Sequence, residues 1–449
     1  MKYVIIGGDA AGMSAAMQLL KHDLSAEITI LEQGAVYSYA QCGMPYVING
    51  VVKSVNDLVV RSVETYRNKF GMDARVHHQV EKVDTEEKLV SGRNVKTGES
   101  FCIRYDKLLT ASGGSSFIPN WKGVDLQGVY SVKTLADVEA IMKKVENGIE
   151  DVTIVGGGYV GLEMAESLRL LGKRVRILIR SRQVAKTFDE EMAKLIEEEA
   201  ERHGIEILYE EVLEEIIGEH SVTSVRTNKR TYETDVVLVA AGLRPNTEFL
   251  KETGIHLAKN GAIYVNEWME TNVVDVYAAG DCAMQYNRIT QVDEYTPLGT
   301  HANKQGRVAG LNMAGKHRAF KGITGTSILK FMDLALGKTG LSDREASAAG
   351  IAYLSVIVRS KTHASYYPNA RSLTVKLTFR REDGLLLGGQ VIGKAGVDKR
   401  IDVLSTALFN EMTVEELEDL DLSYAPPFNS TWDPIQRAAR KAVAKLEDK

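Results

Sequence analysis

The chain has 449 residues, 44% hydrophobic and 26% charged, with a formal net charge of -5; this is ordinary for a globular protein and too long for one compact core, so two or three domains are expected. The mild acidity argues against nucleic acid or an anionic membrane as a partner, and no apolar run approaches membrane-spanning length. Cys42, Cys102 and Cys282 are too few and too scattered for a disulfide framework or a metal centre, so no metal is expected and each thiol is either a small packing residue or a reagent.

Tyr3–Ile6 reads as a first buried strand. It is too short for the apolar core of a secretion signal, which makes a cytoplasmic location the expectation. The turn Gly7-Gly8-Asp9-Ala10-Ala11-Gly12 follows, then an amphipathic helix over Met13–Lys21 and a second strand, Glu27–Leu31, ending at Glu32. Gly7 permits a tight turn and Gly12 close helix packing, so the helix N-terminus faces a pyrophosphate with its free N–H groups. Glu32 stands twenty residues after Gly12, where a carboxylate accepts from ribose hydroxyls. Asp9 departs from the pattern, since that position is usually glycine.

Residues 151–180 repeat the unit. Val152–Val155 is a strand, Gly156-Gly157-Gly158-Tyr159-Val160-Gly161 is a full G-x-G-x-x-G, Leu162–Leu171 is a helix and Arg174–Ile179 the next strand. Two such units about 150 residues apart point to two dinucleotides, as a flavin paired with a nicotinamide would need. Past residue 324 the pattern changes to strands over Ser327–Met332, Tyr353–Val358, Ser372–Phe379 and Leu385–Ile392, with helices near 397–411 and 434–446.

Three further segments complete a set: Leu108–Gly114, containing Ser112 and Gly113; Val236–Gly242 running into Leu243-Arg244-Pro245-Asn246; and Thr271–Asp281. With both glycine turns they resemble the pyridine nucleotide–disulfide oxidoreductases over the whole chain. The resemblance implies an α/β fold: two Rossmann-like dinucleotide-binding domains, for FAD (1–116 and 246–323) and NAD(P)H (117–245), plus an α+β C-terminal dimerisation domain (324–449). It implies FAD at Gly7, Asp9, Ala10, Ala11, Gly12, Glu32, Ser112, Gly113, Asp281 and Ala302, with Asp281 on the ribityl chain. It implies NADPH or NADH at Gly156, Gly158, Tyr159, Val160, Gly161, Glu163 and Gly242, with Tyr159 and Glu163 covering and contacting the nicotinamide.

Cys42 lies in Ser38-Tyr39-Ala40-Gln41-Cys42-Gly43-Met44-Pro45-Tyr46. Glutathione-reductase relatives carry a second cysteine five positions on; here that position is Val47, so no internal disulfide can form at this site. The oxidising equivalent is then stored as a sulfenic acid or a mixed disulfide. Gly43 and Pro45 predict a helix starting just after Cys42, whose N-terminus would lower the thiol pKa. Cys102, in a strand with Phe101 and Ile103, and Cys282, beside Asp281, are read as packing residues, and His301 as structural.

Single-cysteine members of the family include NADH peroxidases, NADH oxidases and coenzyme A disulfide reductases. The first two carry a histidine in the first glycine turn, where this chain has Ala10. The third resembles it at His363-Ala364-Ser365-Tyr366-Tyr367-Pro368 and Ser423-Tyr424-Ala425-Pro426-Pro427. The resemblance implies that Tyr366 and Tyr424 reach the cysteine of the opposite subunit of a homodimer, where a phenol supplies a proton to a departing thiolate. The expected activity is therefore NAD(P)H-dependent reduction of coenzyme A disulfide through a Cys42–S–S–CoA mixed disulfide. An NADH oxidase or peroxidase, or a flavoprotein redox sensor without a thiol substrate, stands as the alternative. No fused C-terminal rhodanese domain of the persulfide-reductase kind is expected. Family members often have Asn before the cysteine; Gln41 stands there, and with Ser38, Arg61 and Lys69 it is a candidate coenzyme A contact. NADH-preferring sites end the second strand in a carboxylate. That position here is Arg180, followed by Ser181 and Arg182, so two guanidiniums are available to a 2′-phosphate and NADPH use is expected.

Overall fold

In the computed structural model, which describes residues 1–448, three five-stranded sheets carry the chain. The first is parallel, in the order Val276–Ala278, Lys107–Thr110, Lys2–Ile6, Glu27–Leu31, Asp73–Arg75. Parallel neighbours need a crossover, and the helix Ala10–His22 supplies the first. Register sets Ile6 beside both Leu31 and Thr110, and Thr110 beside Ala278. Four strands therefore end on one edge, and segments from residues 7, 32, 111 and 279 onward emerge together. Ligands of open parallel sheets bind at such an edge.

The second sheet repeats the plan with Glu206–Tyr209, Arg174–Ile179, Asp151–Val155, Val236–Val239 and Val129–Tyr130, all parallel. Val236–Val239 is apolar and buried throughout, and the middle of Asp151–Val155 is buried too, as strands covered on both faces must be. The third sheet is antiparallel, in the order Ser327–Phe331, Leu334–Gly340, Leu386–Gly393, Ser372–Arg380, Tyr353–Lys361. The helices Val397–Phe409 and Pro434–Glu447 cover it.

Both glycine turns are shorter than the motif suggests. The helices begin at Ala10 and Tyr159, inside the turns, with Asp9 and Gly158 as N-caps, so the expected starts at Met13 and Leu162 are corrected by three residues. The chain turns at the first glycine and enters the helix three residues later. In the third sheet the expected strands are found with ends shifted by one to three residues. The strand Leu334–Gly340 and the helix Asp343–Ala348 were not anticipated. Gly337 and Gly340 weaken the strand signal locally, and pairing to Leu386–Gly393 restores it.

Two contacts fix the layers. The helix Gly299–Met313 crosses Ala10–His22 through small residues: a Cβ on Gly306 would lie 2.1 Å from the Ala11 carbonyl oxygen, and one on Gly310 would lie 2.4 Å from that of Ala15. The second sheet unit is clamped to the third sheet by polar groups. Lys376, buried in the antiparallel sheet, reaches Asp189 at 3.0 Å and Asp343 at 2.8 Å. Burial alone would discharge its ammonium; Asp343 and Asp189 outweigh that and raise the pKa. Gln390 donates to Asp189 (2.5 Å), Lys330 pairs with Glu166, and the Tyr159 hydroxyl meets Ser327 Oγ at 2.6 Å. Among the described residues no helix is long and apolar enough to cross a membrane.

The helix contact makes a direct prediction. Gly306→Val places a branched side chain where backbone already stands, and overpacking of this kind costs about 1–3 kcal/mol. The apparent unfolding midpoint should fall by several degrees, at about 2–4 °C per kcal/mol for domains of this size, whereas Gly299→Ala, at an open position of ordinary backbone, should change it far less. Equal melting curves for wild type and Gly306→Val would show that the helices can separate freely.

Candidate active site

At the edge of the first sheet Gly7 has φ +108°, and a Cβ there would lie 2.1 Å from the Ala111 carbonyl oxygen. A Cβ on Gly12 would lie 2.0 Å from the Gly7 carbonyl oxygen. The Asp9 side chain caps no N–H, so the first turn at Ala10, Ala11 and Gly12 keeps its donors free for an anion. Glu32 is held in place by the backbone N–H groups of Gly8 (2.9 Å) and Gly34 (2.7 Å). On the next strands Ser112 Oγ donates to the Asn246 carbonyl (2.6 Å) and Asn246 N to that of Gly113 (3.0 Å), tying the two crossovers together. Asp281 follows Gly280, whose φ is +85° and which stands against Ala11 and Ala302. A dinucleotide cradle needs free helix donors, a seated carboxylate and Cβ-free backbone, and these residues provide all three.

Lys133 was not singled out from the sequence, yet its Nζ lies 3.3 Å from Asp281 Oδ2. The available signal was the capping box Thr134-x-x-Asp137, which opens the helix Leu135–Glu146 and fixes Lys133 just ahead of it. Lys133 is the cation that draws down the pKa of both Asp9 and Cys42.

Cys42 sits in a single turn of 3₁₀ helix, Gln41–Gly43, ahead of the five-residue helix Met44–Ile48; the residue as a whole is open to solvent, while protein atoms pack around the sulfur. Val47, where a partner cysteine would stand, is buried. The expectation of a lowered thiol pKa is corrected: burial of the sulfur by its surroundings, and then Glu163, push it up, against Lys133. A helix this short has little dipole to offer, and a carboxylate faces the sulfur. Glu163 is itself pushed up to about 7 by burial and by Glu166. Gln41 Nε2 donates to Asp9 Oδ2 (2.7 Å), so the two residues that depart from the family pattern bind each other. Asp9 is raised to about 6, chiefly by burial and then by Glu32, with Gln41 opposing.

The segment around Cys42 is braced by residues 58–60: Ala40 N donates to the Leu58 carbonyl (2.8 Å) and Val60 N to that of Ser38 (2.8 Å). That brings Arg61 beside Ser38. Arg61 and Lys69 both lie 5.7 Å from the Phe70 ring, forming one basic cluster. Tyr366 and Tyr424, 58 residues apart, are brought together with their hydroxyls 3.4 Å apart, and the bond raises the pKa of Tyr366. They lie on the third-sheet unit among exposed Tyr367, Phe428 and Trp432, and among the described residues no hydrogen bond joins them to the Cys42 segment of the same chain. Cys282 is fully buried, with its sulfur 3.4 Å from the carbonyls of Thr110 and Ala279. His301 is buried against the Thr296 carbonyl. Cys102, read as structural, lies on the exposed face of Ser100–Arg104.

At the second sheet a Cβ on Gly156 would lie 2.3 Å from the Ala240 carbonyl oxygen and one on Gly161 2.0 Å from that of Gly156. Gly158 caps the helix without a side chain, Val160 is exposed, and Gly242 (φ +117°) opens the facing crossover. Arg180 is exposed and has no hydrogen-bond or ion-pair partner among the described residues, whereas Arg182 Nε holds Glu210 Oε1 at 2.8 Å. Elsewhere Glu199, His203 and Asp333 bring three ligand-type atoms together. Arg202 already pairs with Glu199 and Lys394 with Asp333 (2.7 Å), so this is a neutralised ion cluster.

Residues 1–306 match the pyridine nucleotide-disulphide oxidoreductase family model and residues 326–434 that family's dimerisation domain. The chain belongs to this family. Among curated proteins it is 36% identical to the NADH oxidase of Methanocaldococcus jannaschii, over 100% of both chains. It is 39% identical to the NAD(P)H sulfur oxidoreductase (CoA-dependent) of Pyrococcus furiosus, over 98% of both. It is 32% identical to a coenzyme A disulfide reductase of Staphylococcus aureus, over 98% of this chain and 99% of that one. Among solved structures, an NAD-dependent persulfide reductase from A. fulgidus superposes with a TM-score of 0.97 at 34% identity, covering 100% of this chain and 84% of that one. The protein is thus an oxidoreductase that uses FAD and NAD(P)H.

The electrostatics of Cys42 are open to measurement. With its pKa raised, its thiolate fraction should grow with pH through and above pH 9, so iodoacetamide alkylation should climb steadily across that range. Glu163→Gln removes the facing carboxylate and should speed alkylation at pH 8, while Lys133→Met should slow it. A rate already at its plateau near pH 7, or a Glu163→Gln variant slower than wild type, would contradict this field.

Proposed function

We propose that the protein reduces coenzyme A disulfide with NAD(P)H. The observation that carries this reading is the lone thiol: Cys42 has buried Val47 where a partner sulfur would be, so its disulfide partner must come from outside. A coenzyme A thiol fits the surroundings. Ser38 and Gln41 lie just before the sulfur in the chain, and the Val60 N–H to Ser38 carbonyl bond brings Arg61, which with Lys69 stands 5.7 Å from the Phe70 ring, to the same segment as positive charge for phosphates.

In this reading the Cys42 thiolate attacks one sulfur of coenzyme A disulfide, forming Cys42–S–S–CoA and expelling one coenzyme A thiolate. Two electrons from NAD(P)H then cleave the mixed disulfide, returning the Cys42 thiolate and a second CoASH. Each turnover thus converts one disulfide, one NAD(P)H and one proton into two thiols and NAD(P)⁺. FAD, when bound along Gly7–Gly12, Glu32, Ser112, Gly113 and Asp281, supplies the two-electron relay between nicotinamide and sulfur. Tyr366 and Tyr424 protonate or solvate the departing thiolate. Their exposed aromatic surroundings suit a homodimer that buries them. The oxidase reading has the Methanocaldococcus jannaschii relative in its favour; Ala10, in place of a histidine able to serve oxygen chemistry at the sulfur, speaks against it.

The untreated protein should carry an adduct of coenzyme A mass on Cys42, released by dithiothreitol and absent from Cys42→Ser. Cys42→Ser should keep FAD and bind NADPH but lose disulfide turnover by orders of magnitude, while Cys102→Ser and Cys282→Ser stay active. A bare sulfenate with rapid oxygen consumption would favour the oxidase instead.

Subunit sharing is tested separately. An equal mixture of Cys42→Ser and Tyr366→Phe/Tyr424→Phe chains, after subunit exchange, should regain about a quarter of wild-type activity. Half the dimers are then mixed, each with one intact site of two. A mixture as inactive as its parents would show that each site belongs to one chain.

A further inference from the structure

The strand Arg174–Ile179 runs parallel to Glu206–Tyr209 with Ile179 opposite Tyr209, so the next residues, Arg180 and Glu210, leave the sheet side by side. Glu210 is held against the 180–182 loop by its own backbone. Its N–H donates to the Ser181 carbonyl (3.1 Å), its φ is +52°, and Glu211 N donates to the Ile179 carbonyl (3.0 Å). A left-handed backbone at a glutamate is uncommon and directs this side chain over the loop, where Oε1 meets Arg182 Nε at 2.8 Å. The pair is open to water, with side chains 87% and 53% exposed, so it is screened and readily exchanged.

Two acceptors can therefore reach one guanidinium. Without a 2′-phosphate, Arg182 keeps Glu210. With one, phosphate and carboxylate compete for Arg182, and the carboxylate repels the phosphate. Arg180, free of any carboxylate, has no such competitor.

We propose that Glu210 is a specificity-determining residue of the nicotinamide-nucleotide site: from the neighbouring strand it supplies the carboxylate that position 180 lacks, favouring the unphosphorylated ribose and tempering the two arginines. The proposal rests on reading residues 180–182 as the ribose end of that site. It makes the protein a dual user of NADPH and NADH, with the balance set by one exposed glutamate.

The test uses the FAD-loaded protein and two probes, ADP-ribose and 2′-phospho-ADP-ribose, titrated by calorimetry, with Michaelis constants for NADH and NADPH alongside. Glu210→Gln should tighten the phosphorylated probe about three- to tenfold and leave ADP-ribose equal or weaker, since one charge is lost at an exposed site. Glu210→Asp, which keeps the charge, should hold the wild-type ratio within about twofold. Arg180→Glu should weaken the phosphorylated probe by about tenfold or more. If Arg180→Glu leaves the ratio unchanged, the loop does not read the ribose and both statements fall. If Arg180→Glu acts and Glu210→Gln leaves the ratio unmoved, the loop reading stands and the role of Glu210 is overturned.

Discussion

The whole arrangement depends on backbone meeting backbone where no Cβ can stand. At Gly12 and Gly161 the helix that follows the turn rises so close to the preceding strand end that an added Cβ would sit 2.0 Å from a carbonyl oxygen. Only that approach lets each helix present its unpaired N–H groups at the strand edge, where a pyrophosphate can take them. The same economy of side chains recurs where Gly306 and Gly310 let a second helix lie against the first. Because the turn is made of backbone, the surrounding side chains are free to carry charge: Glu32 seated by the Gly8 and Gly34 N–H groups, and Asp281 paired with Lys133.

Around Cys42 the charges are balanced against easy ionisation. Burial and Glu163 oppose the thiolate and Lys133 favours it. Glu163 belongs to the second glycine-turn helix, Tyr159–Leu170, and Cys42 to the first sheet unit, so the field at the sulfur is assembled between two halves of the molecule. Glu163 is raised to about 7, so its charge, and with it the pressure on the thiol, changes over the neutral range. A thiol kept from ionising is protected from indiscriminate oxidation. That suits a residue that has no internal partner to shield it.

The relation between those halves is set by the third sheet. Tyr159 touches Ser327, Glu166 meets Lys330, and Asp189 is gripped by Lys376 and Gln390. A fully buried lysine is tolerated because three carboxylates, Asp343, Asp189 and Glu191, offset its desolvation. Removing the lysine would instead leave this carboxylate cluster uncompensated, so the clamp locks the orientation of the second-sheet unit. Loops of the same unit bear Tyr366 and Tyr424, so one body both grips the second-sheet unit and presents the phenols.

Local signals determined much of this from sequence. Glycines at turn spacing, apolar strands and a lone cysteine with valine five residues on are short-range facts, and they located both glycine turns, the Cys42 segment and the C-terminal strands within a few residues. The capping box at Thr134 could have added Lys133. What depended on through-space neighbours was not legible. The pKa of Cys42 is raised, not lowered, first because the fold packs protein around the sulfur, and then because of a carboxylate 121 residues later in the chain, Glu163, while the helix behind it is only five residues long. Gln41 and Asp9 looked like two separate departures until the fold joined them. Arg180 and Arg182 are equivalent in the sequence, but the left-handed backbone at Glu210 turns its carboxylate onto Arg182 alone. Periodicity and turn chemistry act over a few residues and can be read along the chain; the field at an atom sums over everything the fold brings near, and only the tertiary structure supplies that list.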